Sequence, residues 1–184
     1  MELVAQRIEV DQKQLMKSES YSISELIDQY HDRMYWFVRK LVQNHPDSQD
    51  VLQNTWIRAH KNLSSFKGKS AIHTWLFRIA YNESMRVLEK NKKKFETFDT
   101  EDQSYLSRLE SDVYFDGDQF QQNFHKVLSK LSEEDRNLFQ FKYFDELKFT
   151  EIAQITNGNQ NTIKSKYYKI VTFVEEELKK QLNN

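Results

Sequence analysis

The strip Phe66-Lys67-Gly68-Lys69-Ser70-Ala71-Ile72-His73-Thr74-Trp75-Leu76-Phe77-Arg78-Ile79-Ala80-Tyr81-Asn82 joins a basic, glycine-bearing loop directly to an aromatic and basic helix. Cations suit a phosphate backbone, aromatic faces suit unstacked bases, and polar side chains suit a flipped base. Melted nucleic acid calls for all three together. Trp75 and Phe77 can equally be core residues of a three-helix bundle, and for either aromatic alone that is the simpler account. A second concentration lies at Asn161, Thr162, Lys164, Ser165, Lys166, Tyr168 and Lys169, where a helix face carries three lysines and no acid. Such a helix fits a major groove, with lysines on phosphates and Asn, Ser or Tyr on base edges. An ordinary helical hairpin with a solvated lysine face gives the same pattern.

Constellations for catalysis are missing. The five histidines (31, 45, 60, 73 and 125) have no metal-ligand spacing such as His-Glu-x-x-His. There is no glycine-rich phosphate loop and no Gly-x-Ser-x-Gly. Carboxylates are abundant, but none stands in an otherwise apolar helix face. Cysteine is absent, which excludes disulfides and thiolate metal sites and fits a reducing compartment. No enzyme, metal site or cofactor is expected, and His73 reads as a surface or stacking residue.

The elements that would hold these residues are helical. With 3 Gly and 1 Pro in 184 residues, an all-β fold lacks its turns. Ser22 offers an N-cap with Glu25 as its capping-box partner, and Leu26, Tyr30, Met34, Phe37 and Leu41 share one helix face. Asn44-His45-Pro46-Asp47 interrupts, and Asp47 is the expected cap of a second helix with Val51 or Leu52, Trp56, Ala59 and Leu63 inward. A third helix carries Ile72, Leu76, Ile79 and Ala80 and runs to Lys94. From Phe124 the period returns in Phe124, Val127, Leu128 and Leu131. Ser132 then caps a helix containing Leu138, Phe141 and Phe144. A short helix spans Phe149 to Thr156, with small Ala153 at the crossing point of a helix-turn-helix. Asn157-Gly158 supplies the positive φ of the turn, and a last helix runs from about Asn161 to Leu182 with Ile163, Tyr167, Ile170, Val174 and Leu178 inward.

The net charge of -1 hides a segregation. Residues 25–94 carry thirteen basic and seven acidic side chains; residues 95–120 carry one and eight; residues 121–184 carry ten and nine. Polyanion-binding surfaces beside an acidic connector would look like this, and so would solvated helix faces. The expected organisation is all-α with two small helical domains. Residues 1–21 are an extension, 22–94 a three-to-four-helix bundle, 95–120 an acidic linker with a short helix around Tyr105 to Ser111, and 121–184 a helix-turn-helix domain. The start has no signal peptide pattern, and no apolar run approaches the roughly 20 residues of a membrane span. A soluble protein of the cytoplasm, without membrane insertion, is expected.

The strip from Phe66 to Asn82 closely resembles region 2 of the sigma-70 family, in its extracytoplasmic-function form. Asp47-Ser48-Gln49-Asp50-Val51-Leu52-Gln53-Asn54-Thr55-Trp56-Ile57-Arg58-Ala59 resembles that family's polymerase-binding helix. Leu131-Ser132-Glu133-Glu134-Asp135-Arg136, Phe149-Thr150-Glu151-Ile152-Ala153 and Asn161-Thr162-Ile163-Lys164-Ser165-Lys166 resemble region 4. The resemblance covers about residues 25–94 and 121–180, in the family's order. It implies a sigma factor that binds core RNA polymerase, directs it to promoters and helps melt the -10 element. A helix-turn-helix regulator independent of the polymerase is the alternative, but it leaves Asp50 to Asn82 without a purpose.

The resemblance also assigns residues. Asp47, Asp50, Gln53, Asn54 and Ile57 would contact the clamp coiled coil of the largest polymerase subunit, with region 4 on the beta flap. Ser65, Phe66, Lys67, Lys69 and Ser70 match the loop that captures a flipped -10 base; Trp75, Arg78, Asn82 and Arg86 match the adjoining DNA surface. Asn161, Thr162, Lys164, Ser165, Lys166, Tyr168 and Lys169 match the face for the -35 element. Relatives are commonly held by an anti-sigma protein. Departures occur at Asn54, where relatives have an acid, at Asn157, Gly158 and Asn159 in the turn, and at Lys166 and Lys169, where arginine is common. Lysine lacks arginine's forked contact to guanine, so weaker sequence discrimination and a recruiting protein are expected.

Overall fold

The computed structural model describes residues 21–95 and 119–182. The short helix expected within 95–120 and nearly all of the 1–21 extension lie outside the described residues. Among the described residues the fold consists of seven α-helices and one 3-10 turn, with no strand. The first bundle comprises α1 (Ile23–Val42), α2 (His45–Asn62), a 3-10 turn (Leu63–Ser65) and α3 (Ile72–Phe95). The second comprises α4 (Gln119–Ser129), α5 (Glu133–Tyr143), α6 (Phe149–Thr156) and α7 (Gln160–Leu182).

Helix α1 starts as its sequence asks. The Ser22 backbone N–H donates to Glu25 Oε2 at 3.2 Å, and Leu26, Tyr30, Met34, Phe37 and Leu41 are all buried. The cap of α2 differs from expectation. Asn44, not Asp47, takes the N-cap: its Oδ1 accepts the Asp47 backbone N–H at 2.8 Å. Pro46 then falls in the first turn, where its missing N–H costs nothing. Val51, Leu52, Trp56 and Ala59 are buried against α1 and α3, which contributes Ile72, Leu76, Phe77 and Ala80 to the same core.

In the second bundle Ser132 caps α5, its Oγ accepting the Asp135 backbone N–H at 3.2 Å. Leu138 and Phe141 go inward, whereas Phe144 ends the helix half exposed. The turn between α6 and α7 divides its labour. Asn157 alone takes the left-handed conformation, at φ 57°. Gly158 is needed for space: a Cβ there would meet Ile163 Cδ1 at 3.0 Å and Thr156 Oγ1 at 3.2 Å. Asn159 caps α7, its Oδ1 accepting the backbone N–H of Asn161 at 2.9 Å and of Thr162 at 3.2 Å. Ile170 and Val174 are buried, with Ile163, Tyr167 and Leu178 packed beside them.

The bundles pack on each other through α3 and α6. Phe141 stacks on Phe37 at 5.0 Å and meets the Tyr81 edge at 5.9 Å; aromatic pairs contribute about 0.5–1.5 kcal/mol beyond burial. Lys40 pairs with the Asp145 carboxylate, and Arg33 Nη2 donates to the Asp145 carbonyl oxygen at 3.1 Å. His73 Nε2 and Glu151 Oε1 are 2.7 Å apart. Burial pushes the Asp145 carboxyl up, more than Lys40 and Arg33 pull it down. Burial also raises Glu151, but His73 and the Lys148 N–H outweigh it and leave that carboxyl below its ordinary value.

Candidate nucleic-acid interface

Three surfaces collect the expected residues. The first is one face of α2. Asp50, Gln53, Asn54 and Ile57 follow the i, i+3, i+4, i+7 spacing and are all exposed. Ile57, 45% exposed, adds an apolar member to this otherwise polar row. Asp47 stands apart from this row. It is half-buried, its Oδ2 accepting from Asn44 Nδ2 at 2.8 Å and from Asn91 Nδ2 at 2.9 Å, so it ties α2 to α3.

The second surface is an open groove of about 250 Å³ between the end of α2 and the outer side of α3. Ser65, Trp75, Asn82 and Arg86, four of the residues expected at the -10 surface, line it together with Arg58, Asn62, Ile79 and Glu83. None of the last four was assigned to the DNA surface from sequence, and Ile79 was expected on the inward face of its helix. The two arginines meet on one carboxylate: Arg58 Nε lies 2.6 Å and Arg86 Nη1 2.7 Å from Glu83 Oε1. Phe66 packs between Tyr21, at 6.3 Å, and Trp75, at 5.2 Å, which anchors the loop at the groove mouth. Lys67 and Lys69 are exposed around Gly68, which takes φ 64°, and Ser70 is partly covered. Arg78 is exposed on α3 but does not line the groove. Trp75 and Phe77 part company: Phe77 is core, while Trp75 is half-buried and keeps surface in the groove. His73 faces Glu151 of the second bundle instead of standing free.

The third surface is the start of α7. Asn161, Thr162, Lys164, Ser165, Tyr168 and Lys169 are exposed. Lys166 differs. Its ammonium lies 2.9 Å from Asp135 and 3.2 Å from Glu134, and these hydrogen bonds raise its pKa. It fastens α7 to the N-terminus of α5.

These surfaces coincide with two family models: Sigma-70 region 2 matches residues 26–94, and Sigma-70, region 4 matches residues 121–173. The chain belongs to the sigma-70 family. Within it, the relatives are extracytoplasmic-function sigma factors. It is 28% identical to the ECF RNA polymerase sigma factor SigW of Bacillus subtilis over 181 residues, covering 94% of this chain and 95% of that one. RNA polymerase sigma factor SigV of the same organism is 26% identical, covering 84% and 90%. The sigma factor RpoE of Bartonella quintana, solved with the anti-sigma factor NepR, superposes with a TM-score of 0.67 at 23% identity, over 85% of this chain and 96% of that one. CnrH, solved with the cytosolic domain of CnrY, gives 0.59 at 16%, over 92% and 96%. A sigma factor is not an enzyme; it binds core RNA polymerase and promoter DNA, and this chain directs polymerase in that way. The free-standing regulator is not favoured, because region 2 accounts for the first bundle as region 4 does for the second. No described helix of this sigma factor is long and apolar enough to cross a membrane.

Proposed function

We propose that the three surfaces divide the work of initiation. The row Asp50, Gln53, Asn54 and Ile57 docks on the clamp coiled coil of the largest polymerase subunit, and the second bundle engages the beta flap. Asp47 serves that contact indirectly, by fixing the start of α2. The groove with Ser65, Trp75, Asn82 and Arg86, and its basic loop Phe66 to Ser70, takes the melted -10 strand, with Arg78 on duplex beside it. The exposed start of α7 reads the -35 element. The factor works in the cytoplasm with the polymerase, and an anti-sigma protein, as in the complexes of its structural neighbours, is its expected inhibitor.

The observation that carries this reading is the groove: a half-buried tryptophan, an exposed amide and an arginine on α3, with a second arginine reaching in from α2. An aromatic face and cations suit single-stranded DNA, and an amide can hydrogen-bond the edge of an unpaired base. The test is permanganate reactivity of thymines upstream of a start site in holoenzyme–promoter complexes. Wild-type holoenzyme should expose them; holoenzyme with Trp75→Ala and Asn82→Ala should bind core polymerase but leave them protected. Full reactivity in the double variant would overturn the assignment.

Spacing adds a requirement. Elements at -35 and -10 are about 25 base pairs apart, roughly 85 Å along B-DNA. A compact chain of this length has a radius of gyration of about 16 Å. One factor therefore engages both elements only when its bundles part, and their packing through Lys40, His73 and Phe141 belongs to a closed state.

A further inference from the structure

We propose that Glu83 is the positioning residue of the groove, holding Arg58 and Arg86 for the phosphodiester of the melted strand. This rests on the reading of the groove as the -10 site. A carboxylate inside a DNA-binding groove is unexpected, since it repels phosphate. Glu83 is also only 8% exposed, so it was placed at a cost of desolvation. Its surroundings explain it. One oxygen, Oε1, receives Arg58 from α2 and Arg86 from one turn along α3. Both arginine side chains stay about half exposed, at 49% and 57%.

Each guanidinium carries five N–H donors in a planar fork. With one donor committed to Glu83, the remaining donors of each stay available at the groove mouth. Without the carboxylate, two like charges on neighbouring helices would repel, and two long side chains would have to be ordered by the DNA itself. With it, the site keeps a net charge of one and presents two forks in fixed places beside Trp75 and Asn82. The price in charge is repaid in preorganisation.

The two accounts of Glu83 predict opposite signs. Counting charge alone, removing a carboxylate tightens DNA binding and steepens its salt dependence. If Glu83 positions the arginines, removing it weakens binding and makes the salt dependence shallower. The experiment uses holoenzyme assembled from core polymerase and the full chain. The probe is a labelled single strand covering the non-template -10 region of a promoter at which that holoenzyme initiates. Glu83→Ala should weaken strand binding about tenfold, from two side chains left to be ordered on binding. Glu83→Gln, which keeps shape and one acceptor oxygen, should weaken it less. Core polymerase affinity should be unchanged in both. In an Arg58→Ala, Arg86→Ala background, Glu83→Ala should cause no further loss, because the carboxylate has nothing left to hold. A merely structural role would lower binding in both backgrounds and overturn the proposal. Tighter binding with a steeper salt slope in Glu83→Gln would overturn it as well. If wild-type holoenzyme fails to bind the strand, the groove is not the -10 site, and the role of Glu83 falls with it.

Discussion

Replacing Lys40 with alanine removes the cation that holds Asp145, and the consequence can be worked from the contact between the bundles. The Asp145 side chain is 7% exposed, and its Oδ2 is buried with no hydrogen-bond partner. Removing one member of a buried ion pair costs about 3–5 kcal/mol, because it strands the other charge. Lys40 retains 26% side-chain exposure, so water can partly replace it. Discounted for that screening, the loss is about 2 kcal/mol, roughly a thirtyfold shift from joined towards parted bundles. The contact of Lys40 over the Phe144 ring, at 5.8 Å, goes with it. The chain has no cysteine, so cysteines introduced at exposed His60 and Lys179 can carry a donor and an acceptor dye. Energy transfer between them should fall in Lys40→Ala. Adding Asp145→Asn should restore most of it, since a neutral amide leaves no stranded charge. Unchanged transfer in Lys40→Ala would refute the view that this pair holds the bundles together.

Asp50→Lys should abolish binding to core polymerase in a pull-down while the circular dichroism melt shifts little, since exposed substitutions cost within about 0.5 kcal/mol; retained affinity would remove that row from the interface. At the α6–α7 turn, Asn157→Ala should lower stability by about 1 kcal/mol and Asn157→Gly should not, because the φ of 57° is strained for alanine and free for glycine. Gly158→Ala should also destabilise, by about 1–3 kcal/mol through overpacking against Ile163, and chemical denaturation of the three variants checks the set. The Glu151 carboxyl is held below its ordinary value of 4.5. Its contribution is therefore complete above that pH and is lost as pH falls through and below it. The melting difference between wild type and Glu151→Gln should be largest near neutrality and vanish in acid; a difference that grows on acidification would contradict the sign.

Helix positions were legible because apolar spacing reports which face is covered, and every residue of the Leu26-to-Leu41 row is buried. Caps were less so. Asn44 and Asp47 both suit an N-cap, and only the fold decides that Pro46 lies inside the first turn rather than before it. In the turn, the pair Asn157-Gly158 was legible as a unit, but not that Asn157 takes the positive φ while Gly158 sits where a Cβ would meet Ile163. Glu83 was hidden because its partner Arg58 is on another helix, and periodicity carries no information about cross-helix ion pairs. The contact between bundles was hidden for a similar reason. Asn137, Leu138, Phe139, Gln140 and Phe141 are consecutive and all buried, which marks a helix covered on several sides. Their sequence mixes apolar residues with two amides and does not show that Phe37 and Tyr81 of the other bundle complete the cover.

The central claim is that this chain gives core RNA polymerase new promoters. Transcription of genomic DNA by core polymerase, with and without the chain, followed by mapping of the transcript starts, measures it directly. The account predicts new starts that depend on the chain and share one pair of upstream elements. No new starts, together with no binding to core polymerase, would contradict it.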